Sequence, residues 1–211
     1  MIMKKIAAIA FLALVSQLHS AEPRKFTFDC ENWSEGDPPA EVFVVVGAIQ
    51  VKAKDGGKAL EIGIDPLDDA NALLGDSANG NATIEARAFA SKAGRSFPRF
   101  GVGVHGQSGY RVFVFPAKKE IQLMKGDELI STAPFTWKSE TWVKVKLEVK
   151  KVEEKKWTVS AKAWPEGETE PQTSLITHED ATLKGQGKCS IWATPYSATP
   201  VYFDDVKIEI E

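Results

Sequence analysis

The segment Trp142-Val143-Lys144-Val145-Lys146-Leu147-Glu148-Val149 decides the fold class. Its odd-numbered positions are all aliphatic, whereas its even-numbered positions carry an indole, two ammonium groups and a carboxylate. This period of two is typical of a strand with one buried face and one face in water, because successive side chains of a strand point to opposite sides. The segment therefore predicts an antiparallel sheet that covers a core with one of its faces.

The same alternation recurs along the rest of the chain. Apolar or alternating stretches predict further strands at 25–29, 41–52, 59–64, 83–89, 100–105, 110–115, 121–124, 157–164, 188–193 and 201–210. Turn-forming residues cluster between them, as in Asn79-Gly80-Asn81. Many short strands separated by such turns are typical of an all-β sandwich or jelly roll.

One stretch departs from this pattern and favours a helix of one or two turns over Asp65–Gly75. Asp65 suits the N-cap, Pro66 suits the first helical position, and Gly75 suits the position after the last turn. We therefore expect a short helix within the β domain.

The first 21 residues have the organisation of a secretory signal peptide. Lys4-Lys5 forms a basic start, Ile6–Val15 is an uninterrupted apolar run, and small and polar residues follow. The run is too short to span a bilayer, so we expect cleavage after Ser20 or Ala21. A single mature domain, 22–211, then reaches the periplasm or the exterior of a bacterial cell without membrane insertion. Retention of the run as a membrane anchor is the alternative.

Charge and cysteine content narrow the partners and the covalent structure. The chain has 26 basic and 29 acidic residues, and such a mildly acidic surface disfavours nucleic acid as a partner. Cys30 and Cys189 lie near opposite ends of the mature chain, where an exported protein is free to form a disulfide. In the chain-entropy model, closing so long a loop contributes about 5 kcal/mol. Two separate buried thiols are the alternative, because geometry decides whether the sulfurs meet.

Motifs at both ends and in the middle of the chain resemble one family. The opening residues 28–31 (Phe-Asp-Cys-Glu) are followed by Gly36, Pro38-Pro39, 46–51 (Val-Gly-Ala-Ile-Gln-Val) and 58–60 (Lys-Ala-Leu). With the strand 142–149 and the closing strand 201–208, they resemble the concanavalin A-like lectin/glucanase superfamily, in particular its bacterial laminin-G-like and 3-keto-disaccharide hydrolase-like domains. Ile49 stands where that pattern usually has tryptophan. The resemblance implies a jelly roll of two antiparallel sheets, one of them concave, with carbohydrate as the commonest ligand.

The sequence shows no catalytic motif of this superfamily. Its laminarinase-type members carry two glutamates around an aspartate on one strand, a pattern that suits a retaining mechanism. The nearest match, Glu61-Ile62-Gly63-Ile64-Asp65, lacks the second glutamate. His19 leaves with the signal peptide, and neither a Gly-x-Ser-x-Gly motif nor a zinc-ligand spacing accompanies His105 and His178. A Ser-His-Asp set whose members meet only in space stays open.

The stretch 99–105 predicts a ligand-binding face. Arg99, Gly101, Gly103 and His105 share one side of a strand whose other side is apolar. Two glycines leave open floor for the close approach of a ligand, although a bulge or a tight approach of the two sheets is the alternative. Polar and aromatic side chains suit sugar binding, and core packing is the alternative for each tryptophan. We predict that six more residues complete this face: Glu85, Arg87, Tyr110, Arg111, Trp164 and Trp192.

A structural calcium site is predicted where the two chain ends meet. Asp29 and Glu31 lie near the first strand, and Asp204 and Asp205 lie near the last. Carboxylates suit Ca²⁺, and the family resemblance supports such a site. A bulge or turn at Asp204-Asp205 is the alternative.

These features together predict an exported carbohydrate-binding domain without a recognisable catalytic motif. Two other functions stay open. One is a hydrolase that acts on glycans or 3-keto-disaccharides, and the other is a structural or adhesive envelope domain that binds protein. The fold alone does not decide among them.

Overall fold

Fifteen strands and one short 3₁₀ helix make up the regular structure of the residues that the computed structural model describes, 22–65 and 69–211. The helix is Pro116–Lys118. The strands are β1 (Arg24–Phe28), β2 (Val42–Val46), β3 (Ile49–Lys54), β4 (Gly57–Ile62), β5 (Ala70–Ala78), β6 (Ala82–Ala90), β7 (Arg99–Val104), β8 (Tyr110–Phe115), β9 (Glu120–Lys125), β10 (Glu128–Pro134), β11 (Thr141–Glu153), β12 (Lys156–Pro165), β13 (Ile176–Asp180), β14 (Gly187–Thr194) and β15 (Val201–Ile210).

The strands form two antiparallel sheets that pack as a sandwich. The eight-stranded sheet has the order β13-β12-β11-β6-β15-β4-β3, with β1 paired to β15. The seven-stranded sheet has the order β10-β9-β8-β7-β14-β5-β2. Some neighbours in these orders are distant in sequence, as in β7 beside β14, whereas others, such as β7 and β8, follow each other along the chain. The predicted all-β jelly-roll sandwich is therefore confirmed.

Alternating side chains build one core between the sheets. Val143, Val145 and Leu147 of β11 are buried in the core cluster, as the opening motif predicts. From the other sheet, Phe100 and Val102 of β7 join the same cluster, and β7 contacts β11 across the sandwich. Burial of these apolar side chains is the main force that holds the layers together.

The predicted strand 41–52 is two strands that belong to different sheets. β2 lies at the edge of the seven-stranded sheet and β3 lies at the edge of the eight-stranded sheet. The chain crosses between them at Gly47, whose φ of 92° favours glycine. A Cβ atom at Gly47 would lie 2.5 Å from Cβ of Ala70, so the close approach of β5 also requires glycine here.

The predicted helix over Asp65–Gly75 is wrong in its described part. Residues 70–78 form β5, which pairs with β2 and β14, and Ala70, Ala72 and Leu74 point into the core. Residues 66–68, which carry part of the capping signal, lie outside the described residues. The local capping pattern is overridden because β5 has a partner strand on each side.

The first and last strands of the described residues pair with each other, but Cys30 and Cys189 are not bonded. β1 pairs with β15 along its whole length. Cys30, just after β1, and Cys189, in β14, are both buried free thiols, so the expected disulfide is absent and the alternative of two separate thiols holds. Burial raises the pKa of each thiol to about 12. The proposed signal peptide lies outside the described residues, and within 22–65 and 69–211 no helix has the length and apolar character needed to cross a bilayer.

We expect both thiols to resist a thiol reagent such as DTNB in the folded protein, because only an exposed thiolate reacts rapidly. In guanidinium without reductant, both should react. Counting the released chromophore before and after unfolding makes the measurement. If unfolding exposes no reactive thiol, Cys30 and Cys189 are bonded and the separate-thiol arrangement is wrong.

Candidate functional site

The outer surface of the seven-stranded sheet carries a cluster of hydrogen-bonded polar side chains around β7. Phe100 and Val102 point into the core, so Arg99, Gly101 and Gly103 point away from it. Neighbouring strands add their own outward side chains, because β14 and β8 pair with β7 on either side. We call this surface the β7 face and define it by Asp69, Asn71, Arg99, Gln107, Arg111, Phe113, Ser190, Trp192 and Thr194.

Gly101 and Gly103 do not leave open floor. A Cβ atom at Gly103 would lie 2.6 Å from Oγ of Ser190 and 3.1 Å from Nε1 of Trp192, and one at Gly101 would collide with the carbonyl oxygen of Val112. The indole therefore occupies the room above Gly103, and its Nε1 donates to Oγ of Ser190 at 2.7 Å. The prediction of an open floor is wrong, because the backbone of β8 occupies the space at Gly101 and side chains occupy it at Gly103.

Two arginines cover the aromatic rings of the β7 face. The guanidinium carbon of Arg111 lies 4.4 Å from the ring centre of Trp192, and that of Arg99 lies 4.5 Å from the ring centre of Phe113. The two rings meet edge to face at 6.4 Å. Phe113 and Trp192 are only 1% and 3% exposed. These cation–π contacts cover the rings with guanidinium groups, of which that of Arg99 is partly exposed and that of Arg111 is buried.

Asp69 is the acceptor at the centre of a hydrogen-bond network. Nη2 of Arg99 donates to its two carboxylate oxygens at 2.5 and 2.7 Å, and the hydroxyl of Thr194 donates to Oδ1. Burial alone would raise the pKa of Asp69, but the hydrogen bonds from Thr194 and Arg99 outweigh it and hold that pKa below its usual value. Asp69 is therefore ionised at neutral pH.

Two amides extend the network along the β7 face. Nδ2 of Asn71 donates to the backbone carbonyl of Asp69 at 2.9 Å, and Nε2 of Gln107 donates to Oδ1 of Asn71 at 2.7 Å. Asn71 is 1% exposed, whereas Gln107 is exposed. At the other end of the face, Nη2 of Arg111 donates to Oδ1 of Asp127 at 3.1 Å. The polar groups are thus fixed by one another at the rim of a packed layer.

The predicted binding residues do not form one site. Arg99, Arg111 and Trp192 do meet on the β7 face. On the opposite side of the sandwich, the outer surface of the eight-stranded sheet carries Glu85, Arg87 and Trp164. The separation arises because β6, although it precedes β7 in sequence, pairs with β11 and β15 in the other sheet.

Tyr110 also lies apart from the β7 face. It belongs to the core cluster, and its hydroxyl donates to Oδ2 of Asp180 at 2.8 Å. Burial, with the carboxylate of Asp180, raises its pKa well above the usual range. Nζ of Lys125 lies 2.5 Å from the same oxygen and offsets the charge of Asp180. Tyr110 therefore joins the end of one sheet to the other rather than facing a ligand on the outer surface.

His105 is a buried residue at the end of β7. It is 4% exposed and its φ is 62°. Its Nε2 lies 2.8 Å from the carbonyl oxygen of Gly80, whereas its buried Nδ1 has no hydrogen-bond partner among the described residues. Burial lowers the pKa of His105, so the ring is neutral at neutral pH, with Nε2 donating.

The four carboxylates predicted to bind calcium already have partners in the protein. Oδ2 of Asp204 lies 2.5 Å from Nη2 of Arg87, whose Nε lies 3.1 Å from Asp205. Oε1 of Glu31 accepts from the backbone N–H of Lys58. Asp29 accepts from the backbone N–H of Glu31 at 3.3 Å. Within the described ranges, no three His, Cys, Asp or Glu residues group as metal ligands. The register of β15 shifts after Asp204, which is the bulge given as the alternative, and calcium stays a prediction.

Sequence reasoning missed Asp69, Asn71 and Gln107. The first two lie in the segment predicted as a helix, and the third lies between the predicted strands 100–105 and 110–115. The run Asp69-Ala70-Asn71-Ala72 does alternate polar and small residues, which is the period of a strand. That alternation was the available signal.

Comparisons with known proteins establish the fold and no closer relation. Neither a protein-family model nor a curated protein matches this chain. The carbohydrate-binding module CBM66 from Bacillus subtilis is similar with a TM-score of 0.55 and 14% identity, over 79% of this chain and 94% of that one. Lectin II from Ulex europaeus has a TM-score of 0.55 and 11% identity, over 90% and 100%. A variant of alginate lyase Aly36B in complex with an alginate trisaccharide has a TM-score of 0.55 and 10% identity, over 89% and 98%.

We expect acid to destabilise the domain through His105. Because its pKa is lower in the folded than in the unfolded state, the unfolded chain takes up the proton first. The contribution of a neutral His105 to stability is therefore complete above the unfolded value of about 6.5 and is lost as the pH falls from there toward the lowered folded value. His105→Gln should flatten this part of the profile in urea unfolding between about pH 5 and pH 8.

The control is His178→Gln, which removes an imidazole other than the one that contacts Gly80. If His105→Gln keeps the full wild-type slope, the buried His105–Gly80 contact does not carry the pH dependence.

Proposed function

We propose that this protein binds carbohydrate through the β7 face. The observation that carries the proposal is the fixed network in which Asp69, Asn71, Arg99, Gln107 and Thr194 hold one another on the outside of a sheet. Each sugar hydroxyl is both a donor and an acceptor. A set of carboxylate, amide and guanidinium groups at fixed positions pairs with neighbouring hydroxyls and so determines which sugar fits.

The outermost groups of the network are within reach of a ligand. The side chain of Asp69 is 34% exposed and that of Arg99 is 18% exposed, and Gln107 lies at the surface. Arg99 is held both by Asp69 and by the ring of Phe113. A ligand therefore meets groups that are already ordered, which reduces the entropy lost on binding.

The aromatic rings support this surface from below. The guanidinium group of Arg111 packs on the ring of Trp192, and that of Arg99 packs on the ring of Phe113. For Trp192 this role differs from the direct part in ligand binding that the sequence predicts, since both rings are buried. The exposed polar groups of Asp69, Arg99 and Gln107 make the direct contacts with sugar hydroxyls. The buried rings hold the guanidinium groups in position.

The fold likeness supports a sugar ligand in general terms. By their names, the similar structures include a carbohydrate-binding module, a lectin and an alginate lyase with a bound trisaccharide. We also infer membership of the concanavalin A-like lectin/glucanase superfamily, which rests on the motifs at 28–31, 142–149 and 201–208 together with the sandwich of two antiparallel sheets.

Screening the purified protein on a glycan array, followed by calorimetric titration of the strongest glycan, tests the proposal. Asp69→Asn should weaken binding about 10- to 100-fold, because it replaces a charged acceptor at the centre of the network. Arg99→Lys should weaken it comparably, since lysine lacks the paired N–H groups.

The matched control is Asp76→Asn, which changes an aspartate within β5, 57% exposed and paired with Arg24. Thermal unfolding of each variant separates lost binding from lost folding. The absence of binding to every glycan, or equal affinities of wild type, Asp69→Asn and Arg99→Lys, would rule out carbohydrate binding by the β7 face.

A further inference from the structure

A pocket lies on the side of the sandwich opposite the β7 face, over the outer face of the eight-stranded sheet. Its volume is about 250 Å³. β11 and β12 form its floor, and the loop 166–175 forms its wall. All its lining residues are polar or charged: Lys146, Glu148, Ser160, Lys162, Glu170, Gln172 and Ser174.

Two lysines converge on one carboxylate in this pocket. Lys146 and Lys162 are direct cross-strand partners, an arrangement of like charges that destabilises a sheet unless an anion lies between them. Glu170 supplies that anion, with Oε1 at 2.7 Å from Nζ of Lys162 and 3.1 Å from Nζ of Lys146. The hydrogen bond from Lys162, helped by Lys146, holds the pKa of Glu170 below its usual value.

Glu170 is the main counter-ion of the two lysines. Glu85 lies farther off, at 3.7 Å from Nζ of Lys146. Glu148, which also lines the pocket, has its own partner in Lys150 at 2.8 Å. Removing the Glu170 carboxylate therefore leaves two half-buried ammonium groups with too little negative charge nearby.

Glu170 comes from a loop, whereas both lysines come from the sheet. Backbone hydrogen bonds secure the loop at its two ends, from Glu166 to Trp142 and from Leu175 to Ala161. Glu170 lies on the segment between these bonds, so its carboxylate is able to leave the pocket without any break in strand pairing. The lysines stay in place when Glu170 leaves, because β11 and β12 hold them.

We propose that this pocket binds a sugar that bears a carboxylate, a uronate, and that Glu170 occupies the carboxylate position in the free protein. The ligand carboxylate replaces that of Glu170 between Lys146 and Lys162. The hydroxyls of Ser160 and Ser174 and the amide of Gln172 line the remainder of the pocket and suit sugar hydroxyls. A neutral sugar offers nothing to compensate the two ammonium groups, so it does not displace Glu170. This site is separate from the β7 face, which belongs to the other sheet.

Calorimetric titration of the full-length protein with a uronate trisaccharide tests the proposal, with a neutral glucose trisaccharide and acetate as comparison ligands. Glu170→Gln should bind the uronate about tenfold or more tightly than wild type, because an internal competitor has been removed. Adding Lys162→Met or Lys146→Met to that variant should abolish the gain. The affinity of Glu170→Gln should fall as salt rises.

Two controls keep the charge changes matched. Glu168→Gln alters an exposed acid in the same loop, and Lys151→Met alters an exposed lysine of β11 outside the pocket. Neither should change uronate affinity, and Asp69→Asn on the β7 face should also leave it unchanged. Equal uronate binding by wild type and Glu170→Gln would overturn the proposal. Acetate binding as tight as uronate binding would overturn the assignment to a sugar.

Discussion

The lack of a side chain at Gly101 and Gly103 is the constraint on which the seven-stranded sheet depends. A Cβ atom at either position would meet the backbone of Val112 or the side chains of Ser190 and Trp192. Because neither position has a side chain, the indole of Trp192 packs against the outer surface of the sheet, and the guanidinium group of Arg111 packs against the indole. This sheet is therefore packed on both faces, with the core on one side and a layer of rings and guanidinium groups on the other.

The outer layer of rings and guanidinium groups holds the long side chains of Arg99 and Arg111 in fixed positions. Arg99 and Arg111 would lose considerable conformational freedom on binding a ligand from an extended, hydrated state. Here the rings and the carboxylate of Asp69 order Arg99 in advance. The eight-stranded sheet uses a different device, in which Lys146 and Lys162 are ordered by a carboxylate from a neighbouring loop. One sandwich thus presents two polar surfaces, one built mainly by strands and the other completed by a carboxylate from the loop between β12 and β13.

The local sequence pattern predicts where the strands lie, but it does not predict which strands pair with each other. The alternation in 142–149 predicted the buried and exposed faces of β11 because that period reflects the geometry of a single strand. Pairing between distant strands leaves no such trace, so nothing local showed that β6 and β7 belong to different sheets and that Arg87 and Arg99 face opposite directions. The capping pattern around residues 65–75 led to a wrong prediction of a helix for the same reason. Pairing of β5 with a strand on each side outweighs the local preference, and this pairing is not visible in the local sequence.

Hydrogen exchange of the Trp192 indole N–H, followed by NMR and assigned by its loss in Trp192→Phe, tests the packed outer layer most directly. Nε1 donates to Ser190 at 2.7 Å and the residue is 3% exposed, so the account predicts exchange far slower than that of an indole in water. Exchange as fast as that of a solvent-exposed indole would show that the layer is open, and would contradict the account of the β7 face.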